Sequence, residues 1–384
     1  MLAFIRRGLA ALLLTMFLAA CQVIPDAAQG PGTTAPPPEP EGPSDGVLPT
    51  DDARHRVAIL VPLSGDNADV GRSIANAATM ALIDTNAQGL RITSYDTAKG
   101  AASAAAQALD DGNRLILGPL LAQDVPPVAA AARPAGVPLI AFSNDSAVAA
   151  QDVFVLGHVP EQSVARTVGY AMQQGARSFA ALVPQGEYGD RTASALAAAV
   201  SAGGGSLVAT ERYNRGNTSI VSAAGRLRAR EGYDAVLIAD GARLAALAAG
   251  ALVRGGVQPN LLGTELWSGE SAIANASAMN GAWFSAVSDD RFRQFVTSYR
   301  SRFGEAPPRI ATLGYDAVLL TLRVARDWQL GSVFPVAALR APDGFLGLDG
   351  PFRFGRDGVG ERTMEVRQVG DGTVTVVDAA PTRF

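Results

Sequence analysis

Residues 56–82 read RVAILVPLSGDNADVGRSIANAATMAL. The run Val57, Ala58, Ile59, Leu60 and Val61 is continuously apolar and predicts a short strand buried on both faces. Pro62, which has no N–H for a neighbouring strand, ends it. Ser64, Gly65, Asp66 and Asn67 form a polar loop, and Val70, Ile74, Ala77, Ala78, Ala81 and Leu82 then recur on one face of a helix. Strand, loop and helix make the first βα unit of an open parallel sheet. Such sheets bind ligands beyond the carboxyl ends of their strands, where helix N-termini present free N–H groups. Ser64 is therefore the first candidate binding residue. The alternative reading is that Ser64 and Asp66 cap the helix.

The alternation continues on both sides of a break. Strands are expected at 91–95, 115–117 and 139–142, with helices at 101–109 and 125–132 between them. An extended stretch at 152–160 follows. A second series then runs through helix 163–174, strand 179–183, helix 192–201, strand 206–210, helix 220–230, strand 235–239, helix 242–252 and strand 261–262. Two series joined by an extended crossover predict two α/β lobes rather than one large sheet. Segments 292–303 and 311–328 read as helices, and 347–377 as short β segments separated by Gly-Asp turns.

At the N-terminus, Arg6 and Arg7 precede an apolar run that is short for a membrane span. Leu18-Ala19-Ala20-Cys21 closes it and resembles the lipobox of bacterial lipoproteins. That resemblance implies that residues 1–21 are a signal peptide with Cys21 as the acylated anchor, and Gln22, in place of an aspartate, points to the outer membrane. Cys21 is the sole cysteine among 384 residues, so once acylated it leaves no thiol for a disulfide, a metal or a nucleophile. Residues 22–53 predict a disordered tether, and its stretch rich in proline and glycine, from Pro25 to about Pro49, would reach roughly 80 to 90 Å when fully extended.

Composition narrows the chemistry further. The net charge is −4, or −6 without Arg6 and Arg7, and no basic patch suggests nucleic acid. His55 and His158, the two histidines, lack metal-ligand spacing, so no metal or other cofactor is expected; His158 reads as a hinge residue bonded to backbone. G-x-S-x-G, the P-loop pattern and a strand followed by G-x-G-x-x-G are all missing, which leaves no sequence support for an enzyme. The pair Asp289 and Asp290 reads as helix capping, and Trp267 as the one tryptophan placed to touch a ligand.

Four stretches, 57–82, 117–145 (LGPLLAQDVPPVAAAARPAGVPLIAFSND), 179–190 (FAALVPQGEYGD) and 347–372 (GLDGPFRFGRDGVGERTMEVRQVGDG), together resemble the type I periplasmic binding proteins of the branched-chain amino-acid class. The resemblance implies two lobes, each a parallel sheet flanked by helices, around a ligand cleft crossed three times. Lobe 1 would comprise 54–157 and 281–345, and lobe 2 would comprise 158–280 and 346–384. Implied ligand-binding positions are Ser64, Leu121, Ser143, Asn144 and Ser146 on the first lobe, and Tyr188, Asp240 and Glu265 on the second. Glu265 would receive a substrate ammonium, the alternative being that it caps the following loop. Leu120-Leu121-Ala122 stands where amino-acid binders place hydroxyls, and Asp240 where they place an aromatic.

The lipobox, the tether and the loop at 142–145 also resemble the penicillin-binding protein activator lipoproteins, which contact peptidoglycan synthases. The expectation is a periplasmic, lipid-anchored protein that activates such a synthase. The alternative is the substrate-binding lipoprotein of an ABC importer, docking on a permease and carrying an amino acid or another small polar solute.

Overall fold

The computed structural model describes residues 53–253, 259–382 and 384. The leader, Cys21 and nearly all of the proline-rich segment lie outside the described residues. Among the described residues no helix is long and apolar enough to cross a membrane.

Five strands, β1 (His55–Val61), β2 (Leu90–Asp96), β3 (Leu115–Leu117), β4 (Leu139–Ala141) and β5 (Val153–Val155), form a parallel sheet of order β2-β1-β3-β4-β5. Alternate residues of β1 go to opposite faces, as the two-residue period requires. Val57, Ile59 and Val61 pack with Ile74, Ala78 and Ala81 of α1 (Ala68–Asp84). Ala58 and Leu60 pack with the alanine- and valine-rich faces of α2 (Ala101–Asp110) and α3 (Val125–Ala132).

The second lobe repeats the plan with α4 (Pro160–Gln173), β6 (Ser178–Pro184), α5 (Glu187–Ala202), β7 (Ser206–Tyr213), α6 (Ser219–Arg228), β8 (Ala235–Ile238), α7 (Ala242–Val253), β9 (Asn260–Gly263), α8 (Ser271–Ala274) and β10 (Trp283–Ala286). After α9 (Asp290–Phe303) and α10 (Thr312–Ala325), the chain forms an antiparallel sheet of β11 (Phe345–Gly347), β12 (Gly350–Phe354) and β13 (Gly360–Arg362). It ends in β14 (Glu365–Val369) and β15 (Val374–Asp378).

The second sheet has the order β15-β14-β10-β9-β8-β6-β7 and is mixed, because β14 pairs antiparallel with both β10 and β15. The expectation of a purely parallel sheet in each lobe thus holds for the first and not for the second. β14 and β15 are joined by the short turn at 370–373, which needs no helical crossover, so their pairing is antiparallel.

By sheet membership the chain passes between lobes at 156–159, 287–289 and 363–364. Two of these fall later than the sequence suggested. Trp283 and Phe284 bury against opposite faces of the second sheet, which keeps β10 in that lobe past Gly281. Phe345, Phe352 and Phe354 bury in the first lobe's core, which holds β11 to β13 there past Leu346.

The three crossings are tied by one buried ionic cluster. Asp349, fully buried, accepts from Arg309 Nη2 at 2.9 Å and from Thr312 Oγ1 at 2.7 Å. His158, on the first crossing, places Nε2 3.0 Å from Asp349 Oδ2, outside hydrogen-bond angles, so its contact is with this carboxylate rather than with backbone. Asp289, on the second crossing, pairs with both Arg309 and Arg367 and does not serve as a simple cap; its distance to Arg367 is 2.6 Å. Arg362 donates to Leu156 O at 3.2 Å and faces Asp316 at 3.5 Å. Burial works against charge on Asp349, yet Arg309, His158 and Arg362 hold its carboxyl well below the usual carboxylate range. Burial pushes the His158 imidazole below its ordinary value, against the raising effect of Asp349.

The strand-to-helix turn is built the same way in both lobes. A Cβ on Gly71, in the first turn of α1, would lie 1.8 Å from Pro62 O. One on Gly189, in the first turn of α5, would lie 1.8 Å from Pro184 O.

Two outcomes follow for stability. Gly71→Ala and Gly189→Ala should each cost about 1–3 kcal/mol, the range for forced overpacking, read from the denaturation midpoint; an unchanged midpoint would mean the helix can lift from its strand without loss. Asp349→Ala, which leaves buried cations short of a partner, should cost about 3–5 kcal/mol by chemical denaturation. A loss below 1 kcal/mol would remove Asp349 as the tie between crossings.

Candidate functional site

Loops beyond the carboxyl ends of the strands meet across a cleft of about 440 Å³. The first lobe contributes Asn67 and Val70 from the start of α1, Leu120 and Leu121 after β3, and Phe142 and Asn144 after β4. Arg309, Ile310 and Leu313 line it near the start of α10, and His158 lines it at the hinge. The loop after β9 supplies Glu265, Leu266, Ser268 and Glu270. One wall is therefore largely aliphatic and aromatic, and the facing wall carries two carboxylates.

Glu265 is the most elaborately held of these groups. It begins a short 3-10 turn in which its own amide donates to Ser163 Oγ at 3.3 Å and that of Leu266 to the Thr264 hydroxyl at 3.4 Å. Ser163 Oγ donates to Glu265 Oε2 in a short hydrogen bond, and Tyr188 donates to Oε1 at 3.1 Å. Tyr188 also shares a 2.9 Å hydrogen bond with Thr264, and the Arg215 guanidinium lies 5.2 Å from its ring centroid. Burial pushes the Glu265 carboxyl above its ordinary value, against the lowering effect of the hydrogen bonds from Ser163 and Tyr188. Burial, with the Glu265 charge, also raises the Tyr188 phenol, which stays a donor.

The candidate residues separate into three groups. Leu121, Asn144 and Glu265 line the cleft. Tyr188 and Asp240 stand behind it: Tyr188 bonds Glu265, while Asp240 accepts from Tyr213 at 2.6 Å and from Arg215 Nε at 2.9 Å. The three serines are occupied elsewhere. Ser64 donates to Asp96 at 2.7 Å, Ser143 Oγ accepts from the Asp145 amide at 3.0 Å, and Ser146 donates to Glu161 at 3.2 Å. Neither Ser64 nor Asp66 caps α1; Asn67 is its N-cap and makes no side-chain capping bond. Trp267 is not a ligand contact, since it is buried in the second lobe's core with its indole N–H on Asp240 O at 2.8 Å.

The lining residues Asn67, Val70, Phe142, Ser268, Glu270, Arg309, Ile310 and Leu313 escaped the sequence reading. The position of Asn67 just before the first helix was the available signal; that of Arg309 depends on long-range ion pairs and left none. Among the described residues no cluster of three or more His, Asp or Glu is placed to hold a metal.

At the rim the lobes also meet directly. Ser146 of the first lobe donates to Glu161, and Arg191 grips Glu161 with two hydrogen bonds of 2.8 and 2.7 Å while standing 3.6 Å from Asp145.

The family described as periplasmic binding protein matches residues 55–373. Over 159 residues, 41% of this chain, the sequence is 29% identical to an uncharacterised protein of Rickettsia prowazekii (strain Madrid E), of whose length the match spans 43%. In fold the chain is similar to a putative branched-chain amino acid ABC transporter from Rhodospirillum rubrum, with a TM-score of 0.74 at 22% identity, covering 84% of this chain and 100% of the other. It is similar as well to the substrate binding protein LivJ of Streptococcus pneumoniae in complex with isoleucine, with a TM-score of 0.65 at 19% identity and coverage of 85% and 100%.

A raised native pKa for Glu265 fixes the sign of a pH effect. Its protonated form is favoured in the fold, so its contribution to stability is complete below the ordinary glutamate value of 4.5 and is lost as pH rises through the raised value. Relative to Glu265→Gln, the wild type should therefore lose stability steadily across that rise, measured as melting temperature against pH. A difference that does not vary with pH would show that Glu265 titrates normally.

Proposed function

The chain belongs to the periplasmic binding protein family, and we propose that within it this protein is the solute-binding component of an ABC importer, a binding protein without catalytic chemistry. The observation that supports this best is the cleft itself. Its volume suits a small solute, its apolar wall faces a held carboxylate, and its lining comes from both lobes, as a ligand-gripping site requires. A protein that only contacts a peptidoglycan synthase needs no such matched lining, and for that reason the transport reading is preferred to the activator reading. The relatives of similar fold named above are transport proteins, which supports the same choice.

The proposal includes an extracytoplasmic protein held to the membrane by acyl chains on Cys21, with Gln22 directing it to the outer membrane and the proline-rich segment supplying reach to a permease. Cys21→Ser should release it from the membrane fraction, and unchanged fractionation would remove the anchor.

Thermal shift against amino acids, short peptides, amines and aromatic acids tests the central claim. A ligand of the native state at a hundredfold excess over its Kd adds about 2.7 kcal/mol, a clear rise in melting temperature. One solute class producing that rise is the expected outcome. No rise with any class, together with capture of a peptidoglycan synthase, would replace importer with activator.

A further inference from the structure

We propose that the cleft is built for an organic cation with a branched or aromatic apolar body, an amine lacking a carboxylate, rather than for a zwitterionic amino acid. This rests on the solute-binding reading and narrows its ligand.

The charge in the cleft is one-sided. Glu265 reaches it from the floor of the second lobe and Glu270 stands exposed at its mouth. The lining cation, Arg309, is already shared between Asp289 and Asp349, and its Nη2 also donates to Ser288 O at 2.8 Å. Its buried Nε makes no hydrogen bond, but the charge of the guanidinium is already opposed by two carboxylates, which leaves little field for a third anion.

Hydroxyl donors for a carboxylate are also scarce, Ser268 being the hydroxyl among the lining residues. Leu120 and Leu121 occupy the turn after β3, and the hydroxyls of Ser64 and Ser146 are each committed to a carboxylate of the protein. What remains is neutral: the side chains of Asn67, Asn144 and Ser268, and main-chain N–H groups at the start of α1, where Asp69 stands in the same turn. A carboxylate moved from water into this site would lose hydration without gaining a charged partner, whereas an ammonium would gain Glu265. Opposite Glu265, Leu121, Phe142, Ile310 and Leu313 offer an apolar body its place.

Isothermal titration with two matched sets of probes decides this. The first set is 3-methylbutylamine, leucine and 4-methylpentanoate; the second is 2-phenylethylamine, phenylalanine and 3-phenylpropanoate. Members of a set share the apolar body and differ in charged ends. The expected result is that an amine binds at least tenfold more tightly than its amino acid, with no detectable heat from the acid, and that Glu265→Gln weakens the amine by tenfold or more. An amino acid or acid that binds as tightly as its amine overturns the proposal and leaves the solute receptor standing. An amine whose affinity survives Glu265→Gln unchanged also overturns it. If no probe binds, the proposal fails, and the wider ligand panel separately decides whether the cleft is a receptor at all.

Discussion

A single buried carboxylate, Asp349, sets the geometry on which the two lobes depend. It lies in the turn between β11 and β12 and is fully desolvated, so it must be paired where it stands. Arg309 and Thr312 pair it from the entry to α10, and His158 meets it from the first crossing. Through Arg309 the same cluster reaches Asp289 on the second crossing, and through Arg367 it continues to β14. Three chain segments that sequence separates widely are thereby fixed to one point. Arg309 and His158 are also cleft walls, so the hinge and the binding surface share atoms.

That sharing explains the electrostatic character of the cleft. A cation at the hinge of a two-lobed receptor would ordinarily be available to an anionic ligand. Here it is consumed by holding the crossings, and Asp349, the fully buried one of the two carboxylates that consume it, is not released cheaply. The positive end of the site has, in effect, been turned inward. Glu265 faces the opposite situation: the donors to its carboxyl, Ser163 and Tyr188, are neutral, so no cation of the protein is bonded to it.

The βα rhythm was legible because β1 and β3 are short apolar runs ended by Pro62 and Gly118 and α1, α2 and α3 carry alanine-rich stripes. That periodicity needs only neighbours in sequence. Placement of β10 and of the β11 to β13 sheet was not legible in the same way. Both depend on which core takes Phe284, Phe345 and Phe352, and any of these aromatics would suit either core. At the site, the loop positions of Leu121, Asn144 and Glu265 could be read from strand ends. The fates of Ser64, Ser143 and Ser146 could not, since a hydroxyl's direction is set by acceptors such as Asp96 and Glu161 that lie elsewhere in the chain. His158 and Arg309 were beyond reach for the same reason, since their roles exist only once Asp349 is beside them.

The rim bonds show why the cleft still needs its ligand. Ser146, Asp145, Glu161 and Arg191 join the lobes, but Glu161 remains about one-third exposed, and ion pairs of that kind contribute on the order of 0–1 kcal/mol. Such a tie can align the lobes without holding them shut. The stronger coupling available is apolar burial against Leu121 and Phe142 on one lobe combined with neutralisation of Glu265 on the other, which a single ligand spanning the cleft supplies to both lobes at once. A solute that satisfied only one wall would leave the other still facing water, so on the proposed reading selectivity would rest on the same pair of contacts as the joining of the lobes.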